Sequence, residues 1–187
     1  MKNYFQTPQE IRQQIWKELG RASQDRHHAW RTPVLATAGS DGTVNARTVV
    51  LRDVDVAQQM LRIYTDRRSP KVSELATEPD ALFVFWSTRL SWQLRVRVAM
   101  STQTAGPLVE ALWQGVQQSA AAADYLVGAA APGTPCPEAQ SASTAPHTNH
   151  NFALLSAQVR EIDWLELGRT GHRRARLLAD TWQWLTP

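Results

Sequence analysis

Arg47-Thr48-Val49-Val50-Leu51-Arg52 is the stretch on which the reading of the fold turns. Alternation along an extended chain puts Arg47, Val49 and Leu51 on one face, and Thr48, Val50 and Arg52 on the other. An arginine among apolar neighbours is costly to bury unless it is paired. Arg47 therefore reaches a ligand, or the strand ends there, or a bulge brings Arg47 and Arg52 to one side. Just upstream, Val34-Leu-Ala-Thr-Ala-Gly39 has strand periodicity. Ser40-Asp41-Gly42 supplies a hairpin turn, because Gly42 tolerates positive φ. The expected return strand runs from Thr43 to Arg52.

The same period continues downstream. Met60 to Thr65 reads as a third strand and Ala81-Leu-Phe-Val-Phe-Trp86 as a central one, since it is almost continuously apolar. In Trp92-Gln-Leu-Arg-Val-Arg-Val98, Leu94, Val96 and Val98 face one way and Gln93, Arg95 and Arg97 the other. Phe152 to Leu167, His172 to Leu178 and Thr181 to Leu185 finish the set, with a turn at Gly168-Arg-Thr-Gly171. Helices flank these strands. Thr7-Pro8-Gln9-Glu10 is a capping-box start, followed by an apolar stripe of Ile11, Ile15, Trp16 and Leu19 that ends before Gln24 to His28. Ser69-Pro70-Lys71 opens a short helix to Ala76 with Ser69 as its cap, and Pro107 to Val127 reads as a third helix. Gly128 to Asn149 is rich in Pro, Gly, Ser, Thr and Ala and reads as a long loop. The expectation is one domain over 1–187, with an N-terminal helix region over 1–28, a loop over 128–150, and six to eight mostly antiparallel strands closing into a barrel.

Composition narrows the function. With 187 residues, 43% hydrophobic and 20% charged, the chain has the make-up of an ordinary globular domain. A net charge of +3 is below the charge density of a dedicated nucleic-acid binder. The eight Trp suit a core, an interface or stacking on a planar ligand. The one cysteine, Cys136, excludes an intramolecular disulfide and any Cys-based zinc cluster. The five His, His147 and His150 among them, show no metal-ligand pattern. Met1-Lys-Asn-Tyr-Phe-Gln6 lacks the apolar region of a signal peptide, and no apolar run reaches membrane-spanning length, so a cytoplasmic location is expected.

Four segments carry chemistry. At Ser69-Pro70-Lys71 a lysine sits where the helix end is already positive, which is unfavourable unless an anion lies between them; with Arg67 and Arg68 this makes a phosphate cradle, the alternative being a solvated basic turn. Arg47 to Arg52 is the second. Gln93 is the third: it offers the donor and acceptor that a flavin pyrimidine edge requires, whereas Arg95 and Arg97 fit a polar outer face. His172-Arg-Arg-Ala-Arg176 is the fourth, with His172, Arg174 and Arg176 on one face; it holds phosphate, a reduced flavin or nucleic acid, or is a solvated face.

These segments, in this order, resemble the pyridoxamine 5′-phosphate oxidase-like family of FMN-binding split barrels. The matching pieces are Arg47 to Arg52, Tyr64-Thr65-Asp-Arg-Arg-Ser69-Pro-Lys71, Trp92-Gln93-Leu94-Arg95, and Ile162-Asp-Trp-Leu-Glu-Leu167 followed by His172 to Arg176. The resemblance implies a Greek-key split β-barrel and an FMN at the interface of a homodimer. It implies that Arg47 and Lys71, with Ser69 in the cradle, contact the FMN phosphate. Thr48, Val49, Val50 and Leu51 would run along the flavin, Arg52 closing that segment, and Tyr64 and Thr65 would meet the ribityl-phosphate end. Gln93 would meet the isoalloxazine, Trp164 or Leu165 would pack on it, and Arg176 would be the C-terminal contact.

The Ala-Pro-Gly-Thr-Pro135 loop and the Trp-Leu-Glu-Leu167 … His172-Arg-Arg ending resemble the family's uncharacterised FMN-binding branch, and several positions depart from the true oxidases. Arg52 stands where the oxidases have Lys, and Pro70 replaces a basic contact. Trp113 to Ala120 lacks the Tyr, Arg and Ser that hold the substrate phosphate, and a Gln-Ser pair is missing near Gly128 to Pro132. Pyridoxamine phosphate is thus not the expected substrate. A flavin-dependent oxidoreductase is the first expectation, a non-catalytic flavin or haem module the second, and a polyanion binder the third. The resemblance names no acid or base and no metal.

Overall fold

The computed structural model describes residues 7–126, 130–135 and 150–187. Cys136 and His147, and most of the stretch from Gly128 to Asn149, lie outside the described residues.

Helix α1 (Pro8–Gln24) begins as its sequence requires. The Thr7 hydroxyl accepts the Glu10 backbone N–H, the Glu10 carboxylate accepts the Thr7 N–H, and Pro8 occupies the first turn. Its stripe of Ile11, Ile15, Trp16 and Leu19 is buried. A short 3₁₀ turn, Ala29–Arg31, follows and buries Trp30.

The rest is one antiparallel sheet of nine strands, against the six to eight expected. They are β1 (Val34–Ala38), β2 (Val44–Thr48), β3 (Leu51–Asp55), β4 (Met60–Asp66), β5 (Asp80–Ser87), β6 (Trp92–Gln103), β7 (Phe152–Glu166), β8 (Arg173–Leu178) and β9 (Trp182–Leu185). Helix α2 (Pro70–Thr77) links β4 to β5, and α3 (Pro107–Val116) follows β6. The hairpin at Gly42 forms, with φ +79°. Its return arm is not one strand from Thr43 to Arg52: it breaks at Val49–Val50. β2 pairs with β1, while β3 pairs with β4, through a register shift at Arg52. The strand order is β2-β1-β5-β6-β7-β4-β3, so two strands consecutive in the chain form its opposite edges. The sheet curls without closing, and the link between its edges is the peptide run that the alternation treats as continuous. The bulge does not bring Arg47 and Arg52 to one side. Leu51 is fully buried, Arg47 turns toward Thr37 and Glu74, and Arg52 turns outward to Tyr64.

β7 is the spine. It pairs with β6 along its length, with β4 through its first half and with β8 through its second. Its core face meets Leu94, Val96 and Val98 of β6, the alternation expected there. Its first half is buried on both faces, because Val109, Trp113 and Tyr125 cover Phe152 and Leu154 with a second apolar cluster. α3 is shorter than expected. Val116 ends it, and a 3₁₀ turn at Ala120–Tyr125 follows. No helix among the described residues is long and apolar enough to cross a membrane.

A buried carboxylate ties α1 to the sheet. Glu18 accepts from Gln14 (2.9 Å), Arg21 (3.2 Å), His28 Nε2 (2.8 Å) and Arg89 of the β5–β6 turn (2.7 Å). Burial pushes its pKa up. The bonds from His28 and Arg89 and the charges of Arg89 and Arg21 outweigh that, and hold it below 4.5. A carboxyl with a depressed folded pKa contributes stability above its unfolded pKa and loses it as pH falls through the depressed value. Urea unfolding of Glu18→Gln should therefore show lower stability at pH 7, by about 1–3 kcal/mol, and a shallower loss below pH ~4.5 than the parent. Parallel acid limbs in the two proteins would remove Glu18 from this role.

Candidate cofactor site

The Ser69–Lys71 turn is built by β4 running into α2. Thr65 is the last core-facing residue of β4, and Asp66 closes the turn by accepting the Arg68 N–H (2.7 Å). Pro70 fits the first helical position, where no donor is needed. Ser69 does not cap α2 with its side chain, contrary to the sequence expectation. Its buried hydroxyl instead accepts from Lys71 Nζ (3.0 Å), which also donates to Thr65 Oγ1 (3.0 Å). The start of α2, without a side-chain cap, stands beside an ammonium.

Lys71 is held below its ordinary pKa, first by burial and then by the charge of Arg47; Glu74 and Asp66 oppose this. Among the described residues no carboxylate oxygen lies within 4.0 Å of Nζ. Arg47 donates to Thr37 Oγ1 and to Glu74 Oε2 (3.0 Å), and Glu74 also accepts from Asn45 (2.9 Å). Glu74, Thr37 and Asn45 complete this cluster, and the sequence reading missed all three. The available signal was the spacing of Glu74 three residues after Lys71 on one helix face. The Ala131–Thr134 turn lies over the start of α2: a Cβ on Gly133 would stand 3.4 Å from Cγ of Pro70.

The other candidate residues divide by face. Strand alternation separates Thr65 from Tyr64, whose ring lies on the outer side against Phe152 (5.0 Å between centroids) with the Arg52 guanidinium 5.6 Å over it. Thr48 is exposed, Val49 packs against the core and Val50 is half-buried. Gln93 stands in register with Leu165, which stands in register with Arg174, so these three share an outer row. Trp164 is fully buried, edge-on to Trp92 at 5.3 Å, with Arg173 over its ring. Leu165, not Trp164, is therefore on the face of Gln93. Arg176 lies two residues further along β8, 3.4 Å from Glu161. Arg95 and Arg174 pair with Asp163 (3.5 and 2.7 Å), and Arg97 with Glu161 (3.9 Å), as a polar outer face requires.

Arg47, Thr65, Ser69 and Lys71 thus form one locus with the chemistry of an anion site. A part-buried ammonium at the positive end of a helix that has no side-chain cap fits a phosphate. The outer row of Gln93, Leu165 and Arg174 offers an amide, an apolar contact and a cation.

Known proteins resemble this chain in part of its sequence and in its whole fold. Residues 13–103 match the family model described as pyridoxamine 5′-phosphate oxidase, FMN-binding domain. The chain is 44% identical over 62 residues to a pyridoxine/pyridoxamine 5′-phosphate oxidase of Thermosynechococcus vestitus, covering 33% of this chain and 28% of that one. It is 36% identical over 93 residues to the Acaryochloris marina protein of the same name, covering 48% and 42%. The matches thus span well under half the length of these curated relatives. Among solved structures, a pyridoxamine 5′-phosphate oxidase-related, FMN-binding protein from Nostoc punctiforme superposes with a TM-score of 0.75 at 22% identity, covering 98% of this chain and 100% of that one. PhzG from Burkholderia lata, in complex with tetrahydrophenazine-1-carboxylic acid, gives 0.68 at 17% identity, covering 99% and 95%. These structural likenesses speak for the fold. The family model thus lies over β1 to β6, and the split sheet complete around them has the fold of the pyridoxamine 5′-phosphate oxidase-related FMN-binding proteins.

Proposed function

We propose that this protein binds FMN and uses it in oxidation and reduction of a small molecule other than pyridoxamine phosphate. The observation that carries the reading is Lys71: part-buried, beside a helix start with no side-chain cap, and without a carboxylate partner among the described residues. Burying such a charge costs stability unless an anion meets it. In this reading Arg47, Thr65, Ser69 and Lys71 take the phosphate, and Thr48 to Leu51 lie along the flavin. Gln93 meets the pyrimidine edge, with Leu165 rather than Trp164 as its apolar neighbour. Arg176, or Arg174 in the row of Gln93, is the C-terminal cation. Bound FMN supplies electron transfer through its isoalloxazine ring, while the chain supplies binding, orientation and charge. The substrate follows from what is missing. Trp113 and Val116 of α3 pack into the second apolar cluster, which supports a role for that stretch in packing rather than in holding a substrate phosphate.

The same reading makes the protein a homodimer in the cytoplasm. Its support is apolar surface on the outer face of β1 and β5, where Val34 and Trp86 stand 39% and 45% exposed.

Two measurements test this. The protein purified without added cofactor should show flavin absorption. A Soret band, or a colourless protein that FMN does not reconstitute, would overturn the reading. Lys71→Met should weaken FMN binding by about 10–100-fold in a fluorescence titration. Its thermal midpoint should not fall, because the substitution removes an unpaired buried charge. A lowered midpoint with unchanged FMN affinity would make Lys71 structural. Separately, Trp86→Glu should convert the dimer to monomer in sedimentation analysis; an unchanged mass would place the interface elsewhere.

A further inference from the structure

Trp92, Glu166 and Arg173 stand in register across β6, β7 and β8. They are one residue from the row of Gln93, Leu165 and Arg174, and alternation puts them on the opposite face of the same strands. The Glu166 carboxylate joins the three strands. Its Oε1 accepts from Trp92 Nε1 (3.1 Å) and its Oε2 from Arg173 Nε (2.8 Å). The Arg173 guanidinium lies over the Trp164 ring, 5.4 Å from its centroid, and Trp164 is edge-on to Trp92 at 5.3 Å.

This row lies where the strands turn. β5 passes into β6 through Ser91, with φ +58°, and β7 into β8 through Gly171, with φ +139°. The two turns meet at the Leu167 N–H, which donates to the Ser91 carbonyl (2.8 Å). Strand ends of this kind fray unless cross-strand side chains hold them. An apolar row would do so without the cost of desolvating charge, so stability alone does not account for a half-buried carboxylate and guanidinium here. Their position behind Gln93 does. Adjacent residues share a backbone, so the row that fixes the spacing and twist of the three strands also fixes where Gln93, Leu165 and Arg174 point. Two opposite charges behind that face also bear on a flavin lying against it, since nearby charge tunes how readily the ring accepts electrons.

We propose that Glu166 is a positioning residue for the flavin ring: it holds Trp92 and Arg173, thereby orients the row of Gln93, Leu165 and Arg174, and its charge offsets that of Arg173 behind the ring. This role rests on the FMN reading. It concerns the ring alone, whereas Lys71 concerns the phosphate, and the two are separable by comparing FMN with riboflavin, which lacks the phosphate.

Both flavins are titrated by fluorescence into the full chain freed of bound flavin, and the reduction potential is measured on the flavin-loaded protein. Glu166→Leu should weaken FMN and riboflavin by the same factor, about tenfold, whereas Lys71→Met should weaken FMN alone. Glu166→Gln keeps an acceptor for Trp92 and should restore most of the affinity. It removes a negative charge from behind the ring and should raise the potential, because reduction adds negative charge to the flavin. Arg173→Gln removes a positive charge and should lower it, and Glu166→Gln with Arg173→Gln should return toward the parent. A purely structural role gives no such pair of opposite signs. Unchanged affinity for both flavins in Glu166→Leu, loss of FMN binding alone in that variant, or potentials that move the same way in the two single charge variants would overturn the proposal. Should Glu166→Leu fail to fold, the two charge variants decide. A parent that binds neither flavin sinks the FMN reading and this role with it, while a parent that binds both with an affinity and potential indifferent to Glu166 sinks this role alone.

Discussion

Everything in this molecule depends on how the chain crosses from one edge of its sheet to the other. β2 and β3 follow each other with only Val49 and Val50 between them, yet they form opposite ends of the strand order. The crossing is held by one backbone bond, Val49 N–H to the Pro33 carbonyl at 3.0 Å, and by the burial of Leu51 immediately after it. Because pairing stops for two residues, the flanking arginines leave on different faces. One ordinary-looking run thereby sends Arg47 to Glu74 of α2 at one end and Arg52 to the Tyr64 ring at the other.

The two ends differ in how their charge is managed. Arg47 shares Glu74 with Thr37 and Asn45, so the cradle has a local acid that sets the orientation of its arginine. Lys71 has only hydroxyls, and is the group there whose charge lacks a direct partner. Arg52 has the Tyr64 ring and the Tyr125 phenol. By contrast, the outer face of β6 to β8 lays Arg95, Arg97, Arg174 and Arg176 against Asp163 and Glu161, where the positive charge is spent on structure. Arginine abundance alone therefore says little.

Much of the scaffold was legible in the sequence because its signals are local. The capping box of α1, the positive φ at Gly42 and the two-residue period of β6 each depend on neighbours within a few positions. The candidate site was proposed for the same reason: Lys71 at a helix start is a local contradiction that an anion would resolve. What failed was also local reasoning, applied where the chain departs from regularity. The return strand was read through Val49–Val50 because alternation continues there although pairing does not. Ser69 was read as a cap because its type and position fit, whereas its hydroxyl is drawn to an ammonium two residues on.

The sequence by itself determined most of the strand segments and where the helices start, and it singled out Arg47, Thr65, Ser69, Lys71 and Gln93 as candidates for binding. Only the tertiary structure decided which of them share a face. It joined Arg47 to Glu74 across 27 residues, put Leu165 rather than Trp164 beside Gln93, and brought Arg52 over the Tyr64 ring. The physical reason is that periodicity specifies side-chain direction only relative to its own strand. A break, a bulge and the choice of neighbouring strand fix that direction in the molecule, and these are settled by long-range pairing and burial.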